Sequence, residues 1–277
     1  MGALFSVQGL APWLGSQALG WSQGVLLLSL RLGAFVALNP VFYVLPMPAM
    51  ARLLLVMALA VLLSLGLGGD APVVATATLM QRAMAELLLG ATMALGVLLA
   101  FSAFSIAGQL LDVQIGFGIV QVFDPATQRQ VSVLTSLIQY VGVLVFFLLD
   151  GHHALLQGLA YSVERFPPGQ VWSLGVAVEP LIRQAGGIFA LGFALAAPVV
   201  FCVLLTEFAL GVVARNLPQV NMFTLGIPVK IVVGLVALSV WSSGIGIVME
   251  RVYRSFEPAW TVLLGSGPAG RTQEGAR

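Results

Sequence analysis

Residues 87–111 have the sequence LLLGATMALGVLLAFSAFSIAGQLL, with Glu86 directly before the run and Asp112 directly after it. No ionisable side chain interrupts these 25 residues. An α-helix rises about 1.5 Å per residue, so about 20 residues reach across the hydrocarbon core of a bilayer. The apolar residues follow one another without the alternation that a membrane β-strand requires. The run therefore predicts a membrane-length α-helix.

Four further runs lack charged side chains over a comparable length, namely residues 53–69, 130–149, 184–206 and 231–249. Such runs must be helical, because the bilayer core offers no water to satisfy the backbone groups. Together with residues 87–111 and an apolar segment around residues 22–44, they predict about six long helices, because each run is about long enough to cross a bilayer. The predicted fold class is all-α, with helical hairpins of an integral or membrane-assembled protein and with breaks at proline and glycine.

The composition excludes several classes of protein. Charged residues make up 8% of the 277 residues and apolar residues 59%, and the mean hydropathy is +1.02. Soluble domains carry about 25% charged residues, which they need to cover their core, so a soluble enzyme domain is excluded. A net charge of +1 excludes a general affinity for nucleic acid, which needs a concentrated basic face. The single cysteine, Cys202, excludes an internal disulfide.

The domain organisation follows from where the apolar pattern ends. We expect one helical membrane domain over residues 1–256. Glycine, proline and polar residues dominate the stretch that follows, which is typical of a segment without a packed core. We therefore expect residues 257–277 to form a polar, mobile tail.

The segment from Gly108 to Gln130 breaks the apolar pattern with closely spaced glycines and a closing Asp-Pro. Glycine weakens a helix, and the residue before a proline is biased away from the helical conformation. We interpret the segment as an irregular loop. It is either a constriction, which is buried in protein or lines a cavity, or an ordinary apolar connection. Its candidate functional residues are Gln114, Ile115, Gly116, Phe117, Gly118, Ile119, Val120, Phe123, Asp124 and Pro125.

The tetrapeptide Asp150-Gly151-His152-His153 follows an apolar run. It predicts a helix end at Asp150 with Gly151 in a left-handed C-cap position. A carboxylate beside two histidines suits a metal ion or a proton relay. Adjacent helical residues point about 100° apart, however, so we favour the simpler interpretation of a polar turn. We accordingly predict no metal ligand, no cofactor and no catalytic residue.

Several ionisable residues lie within or beside the apolar runs. A charge at the bilayer centre costs about 3 kcal/mol on insertion scales, so Arg31 should face protein, water or the interface. Arg82 precedes Glu86 by four residues, which is the poorer orientation for a helical ion pair. We therefore expect Glu86 to find a partner on another helix or to be solvated at a helix start. Lys230 either ends a loop at the membrane boundary or pairs with an acid such as Glu207.

These motifs, in their order and spacing, resemble the FliR family, a subunit of the flagellar type III export gate whose injectisome counterparts form the SctT family. The resemblance covers about residues 22–255, and its most specific stretch runs from Gly108 to Pro125. Gln109 stands where the family has an acidic residue. The second specific stretch is 218–230, whose prolines should limit any continuous helix. The other family-motif and partner-packing positions are Pro40, Pro48, Arg52, Glu86, Gly90, Gly108, Asp150, Gly151, His152, Pro218, Gln219, Asn221, Phe223, Gly226, Pro228 and Lys230.

The resemblance implies a non-enzymatic gate component of the bacterial inner membrane and the flagellar basal body. It implies assembly with FliP and FliQ homologues, beside FlhB and FlhA homologues, and passage of unfolded flagellar proteins through the channel. It also implies that the loop from Gly108 to Pro125 plugs the closed pore. The alternatives are the equivalent SctT-type injectisome component, a small-solute secondary transporter, and a membrane enzyme that uses Asp150 and the two histidines.

Overall fold

The computed structural model describes residues 7–44, 47–66, 78–117, 132–170, 172–216, 222–255 and residue 260. All regular elements in these ranges are α-helices, nine in number. They are α1 (Val7–Leu38), α2 (Pro40–Val44), α3 (Ala49–Gly66), α4 (Leu79–Ile115), α5 (Val133–Leu148), α6 (Gly151–Arg165), α7 (Gly175–Asn216), α8 (Met222–Ser242) and α9 (Ile245–Tyr253).

Five of the described helices contain a stretch that is long and apolar enough to cross a membrane. These stretches are Gly20–Leu38 in α1, Ala49–Gly66 in α3, Leu79–Ile115 in α4, Ala177–Asn216 in α7 and Thr224–Ser242 in α8. The pair α5 and α6 is bent by 71° and adds a sixth if it is one broken span. The prediction of an all-α fold with about six long apolar helices is confirmed.

The chain divides into two compact units, of which the first comprises residues 1–97, 153–181 and 259–277. Within this unit α1 packs against α3. Its described core includes Leu28, Phe35 and Met93, which are almost completely buried. Because these side chains are apolar, their burial follows from the same composition that predicts the long helices.

Trp260 belongs to the core of the first unit. Its indole Nε1–H donates to the carbonyl oxygen of Met93 at 3.2 Å, and its ring meets Phe35 edge-on at 6.1 Å between ring centroids. A Cβ atom on Gly158 would overlap this indole, so the glycine leaves the space that the ring occupies. Trp260 is held there because its indole finds an apolar slot and a buried acceptor. Residues 257–259 and 261–277 lie outside the described residues, so the mobile tail stays a prediction.

The second unit comprises residues 98–152 and 182–258 and is built around aromatic rings. Phe101, Phe104, Phe146 and Tyr253 meet in tilted or edge-on pairs. The hydroxyl of Tyr253 donates to the carbonyl oxygen of Gly142, so α9 is attached to α5. Burial raises the pKa of Tyr253 above its usual 10.0, which keeps this hydroxyl protonated as a donor.

Two predictions of helix breaks are wrong at the residues that the structure describes. The segment that begins at Gly108 is helical up to Ile115, because its side of α4 is buried against α5. Pro228 lies inside α8, which continues to Ser242. A proline removes one backbone donor, and apolar helices tolerate this because local adjustments satisfy the freed carbonyl group.

The turn between α5 and α6 also differs from its prediction. The left-handed residue is Asp150, with φ 56°, and Gly151 already begins α6. Aspartate is one of the few non-glycine residues that adopt this conformation readily. Gly151 is required for a different reason, since a Cβ atom there would overlap the ring of Phe146.

Candidate functional site

A buried ion pair joins α1 and α4 in the first unit. The Nε–H of Arg31 donates to Oε2 of Glu86 at 2.6 Å, and both side chains are only 1% exposed. The same guanidinium donates through Nη1 to the Ser162 carbonyl at 3.0 Å and through Nη2 to the Phe166 carbonyl at 2.8 Å. The expectation that Glu86 finds a partner on another helix is confirmed. The expectation that Arg31 faces protein is confirmed as well.

The turn after α6 completes this polar cluster. The backbone N–H of Gly169 donates to Oε1 of Glu86 at 2.9 Å, so both carboxylate oxygens are occupied. Gly169 has φ +87°, a conformation that favours glycine. The cluster therefore fixes α1, α4 and the end of α6 to one another through one arginine and one glutamate.

Gly90 lets α1 and α4 approach closely beside this ion pair. A Cβ atom at Gly90 would overlap the carbonyl oxygen of Arg31. The backbone in contact cannot move aside as a flexible side chain can. This explains why a small residue lies one turn after Glu86, at a position that the sequence singles out.

Arg52 stabilises the connection between α2 and α3. Its Nη2–H donates to the Phe42 carbonyl at 3.2 Å and to the Met47 carbonyl at 3.5 Å. Pro40 begins α2, and the carbonyl of Pro48 accepts from the Arg52 N–H at 3.2 Å. The proline-rich stretch and the following arginine thus form one local structural motif.

In the second unit, Asp112 connects the end of α4 to the start of α5. Its carboxylate accepts from the backbone N–H groups of Leu134 and Thr135 at 3.3 and 3.2 Å, and from the Thr135 hydroxyl at 3.1 Å. A carboxylate at a helix N-terminus satisfies free donors and interacts favourably with the positive end of the helix dipole. A Cβ atom at Gly108 would overlap the Cα atom of Thr135, so the two helices touch at this point.

The last turn of α4 is also fixed to α7 and α8. Lys230 on α8 forms an ion pair with Oε1 of Glu207 on α7, and the amide of Gln114 donates to Oε2 at 3.4 Å. Ile115 is completely buried and fills the space left by Gly234. Lys230 therefore follows the second of its two predicted alternatives, because a cation inside an apolar helix needs a charged partner.

The structure describes only part of the predicted plug loop. Gln114 and Ile115 lie on α4 rather than in a loop, which corrects the predicted start of the loop. Gly116 follows with φ +104° and the loop continues into Phe117. The remaining predicted residues lie outside the described residues, namely Gly118, Ile119, Val120, Phe123, Asp124 and Pro125.

The second family motif is likewise divided. Phe223, Gly226, Pro228 and Lys230 lie on α8. Pro218, Gln219 and Asn221 lie outside the described residues. Of this motif, the side chain whose bonding the structure resolves is Lys230, which reaches across to α7.

The turn at Asp150 has the geometry of a helix connection. Ligand-type atoms of Asp150, His152 and His153 all lie within 4.8 Å of one another, and the imidazole of His152 packs on the ring of Phe147 at 5.5 Å between centroids. These three groups fall short of the four ligands of a structural zinc site. The polar turn stays our interpretation of this segment.

Most of the chain matches the sequence model of a known protein family. Residues 23–256 match the model of the bacterial export proteins, family 1. The chain belongs to this family, and within it to the FliR family. "Flagellar biosynthetic protein FliR" of Bacillus subtilis (strain 168) is 31% identical over 231 residues, which are 82% of this chain and 89% of that protein.

Two further relatives of this FliR-family chain carry the same name. The protein of Aquifex aeolicus (strain VF5) is 32% identical over 63% of the chain and 67% of its own length. The protein of Escherichia coli (strain K12) is 27% identical over 74% of the chain and 79% of its own length. The chain is therefore a multi-pass membrane protein of flagellum biogenesis and type III protein export.

Sequence reasoning missed several groups that hold this FliR-family chain together. The carbonyls of Ser162 and Phe166 as acceptors for Arg31 have no sequence signature, since every residue carries a carbonyl. Asp112 as a cap of α5 lies 22 residues before its partner Leu134. The sequence does offer a signal for Trp260, because a tryptophan within the apolar stretch 259–264 is typical of a segment that packs against a core.

Proposed function

We propose that this FliR-family chain is a non-enzymatic component of the flagellar type III export gate. In this proposal it assembles with FliP and FliQ homologues, beside FlhB and FlhA homologues, in the bacterial inner membrane. The resulting channel passes unfolded flagellar proteins. The observation that carries the proposal is the family match over residues 23–256, which includes all but the first part of the helical chain.

The exposure of the apolar helices supports an assembly. Only 17% of the membrane-length window in α3 is buried, and only 6% of the window in α8. Exposed leucine and valine side chains run along both helices, for instance Leu54, Leu62, Val232 and Val240. Apolar surface of this extent needs lipid or other helices to cover it. The names of the relatives favour the flagellar over the injectisome assignment.

Purification tests the assembly. We expect the tagged chain, co-expressed with FliP and FliQ homologues of the same organism, to co-purify with both in mild detergent. Native mass spectrometry should then give one hetero-oligomer with a fixed composition. A chain that purifies alone and transports a solute in liposomes without other proteins contradicts the proposal and supports a secondary transporter.

The loop after α4 is the proposed plug of the closed channel. Two described features support this: Asp112 fixes α4 to α5, and Ile115 is seated against Gly234. Both features hold the helix end from which the loop begins. Apolar side chains such as Phe117 and Ile119 would exclude water and ions from a narrow pore.

The plug proposal is tested on the assembled complex in planar bilayers. Deletion of residues 117–122 spares Gln114 and Ile115 and should raise the resting ion conductance. The matched control is Val113→Ser, at a position on α4 that is 74% exposed and outside the deletion. Unchanged conductance of the deletion variant refutes the plug while leaving the assembly proposal intact.

A further inference from the structure

Arg82 is a buried cation without a hydrogen-bond partner for its guanidinium among the described residues. The residue lies in the first turn of α4 and is 8% exposed. Its Nε–H is buried and makes no hydrogen bond to a described residue. The side-chain stem packs beside Gly169: a Cβ atom added at this glycine would lie 3.3 Å from Cδ of Arg82.

The neighbouring acid does not compensate this charge. Glu86 lies one turn further along α4, and its two oxygens already accept from Arg31 and from the Gly169 N–H. The buried group of Arg31, Arg82 and Glu86 therefore carries one net positive charge. Buried charges are paired in folded proteins because desolvation is costly, so this group requires an anion from outside the described residues.

The position of Arg82 in the first turn of α4 adds a second unfavourable interaction for its positive charge. A cation in the first turn of a helix opposes the helix dipole. The N-terminus of α4 is also closed by its own residues: the Gln81 N–H donates to the Thr78 hydroxyl, and the Thr78 N–H donates to the Gln81 side chain. The guanidinium of Arg82, and not the helix end, is thus the group for which the described part of the chain supplies no partner.

We propose that Arg82 binds the phosphate group of an anionic phospholipid. The planar guanidinium matches phosphate oxygens through two parallel N–H donors. Residue 82 lies at one end of a membrane-length helix, where headgroups are found. Leu79, Met80 and Met84 beside it are 55%, 73% and 50% exposed, and they offer an apolar surface to the acyl chains. This inference is independent of the proposed export function.

The test uses the full-length chain in neutral detergent, with phosphatidylglycerol as the probe and phosphatidylcholine as the zwitterionic comparison. Bound lipid is counted by native mass spectrometry across a lipid titration. We expect phosphatidylglycerol to bind the wild type more tightly than phosphatidylcholine. Arg82→Gln should weaken this binding by at least about tenfold, because the two charge-assisted hydrogen bonds of the guanidinium are lost. Arg251→Gln removes a charge at an exposed position of α9 and should leave binding unchanged.

Two arms protect the test against a variant that does not fold. Arg82→Lys keeps the charge and the long stem but loses the paired donors, so its affinity should fall between wild type and Arg82→Gln. Competition on the wild type needs no variant: inorganic phosphate that displaces phosphatidylglycerol supports phosphate recognition and points to free phosphate as an alternative source. Equal binding of phosphatidylglycerol by wild type and both Arg82 variants overturns the proposal. The proposal is also overturned if the Arg82 variants keep their bound lipid but lose a protein that co-purifies with the wild type.

Discussion

The ion pair between Arg31 and Glu86 makes a quantitative prediction for the variant Glu86→Gln. Glutamine has nearly the same shape, and its carbonyl oxygen can still accept from the Gly169 N–H. The variant therefore removes the negative charge with little change in packing. Arg31 stays buried at 1% exposure, with two backbone carbonyls but no counter-charge.

The expected cost follows from this burial. Removing one partner of a buried ion pair costs about 3–5 kcal/mol, because the remaining charge is left uncompensated in a medium of low polarity. The matched control is Glu250→Gln. Its partner, Arg254, lies four residues later, directly after the last residue of α9. These side chains are 43% and 72% exposed, so solvent screens the pair and the cost should stay below about 1 kcal/mol.

The assay is reversible unfolding of the full chain by dodecyl sulfate titration in mixed micelles, followed by circular dichroism. The free energy of unfolding should fall far more for Glu86→Gln than for Glu250→Gln. Equal losses in the two variants would refute the reasoning, because they would mean that water reaches Arg31 or that another acid compensates it. Arg31→Lys in parallel tests whether charge alone suffices, since lysine cannot reach both carbonyls and the carboxylate in one fork.

Two other predictions concern close contacts. Gly90→Ala places a methyl group against the Arg31 carbonyl and should cost about 1–3 kcal/mol in the same unfolding assay, whereas Gly33→Ala on α1 meets no atom within 4 Å and should be neutral or slightly stabilising. Tyr253→Phe should cost about 1 kcal/mol at neutral pH through loss of the bond to Gly142. Because burial raises the pKa of Tyr253, the wild type should lose stability as pH rises above 10.0, and a Tyr253→Phe variant that keeps the same alkaline loss contradicts this assignment.

Much of the helical architecture is predictable because it depends on local composition. Uncharged runs of membrane length must be helical, so α3, α4 and α8 follow from counting residues between charges. The partner of Glu86 on another helix is predictable in kind, since Arg82 is poorly placed to serve. That the partner is Arg31, 55 residues earlier, depends on how α1 and α4 pack, which no local pattern encodes.

Two of the wrong predictions share one physical cause. Gly108 and Gly151 were assigned helix-breaking or capping roles from intrinsic preference, and packing overrides that preference at both positions. Gly108 and Gly151 provide space for Thr135 and Phe146 rather than conformational freedom. At Pro228 the reason differs: this residue is exposed on α8, so its ring displaces no neighbouring described helix. The glycine that does need a positive φ in the loop region is Gly116.

The few polar groups of this chain determine which helix faces meet. Apolar helices gain little by contacting one another instead of lipid, so hydrophobicity alone cannot choose between alternative pairings. An uncompensated charge in such surroundings is costly, and it is relieved only where the opposite charge lies at the matching height on another helix. Glu86 on α4 meets this condition with Arg31 on α1, and Glu207 on α7 meets it with Lys230 on α8. A protein with 8% charged residues thus obtains a unique helix arrangement from a small number of pairs, and neutralising one of them should loosen one specific helix contact rather than the whole fold.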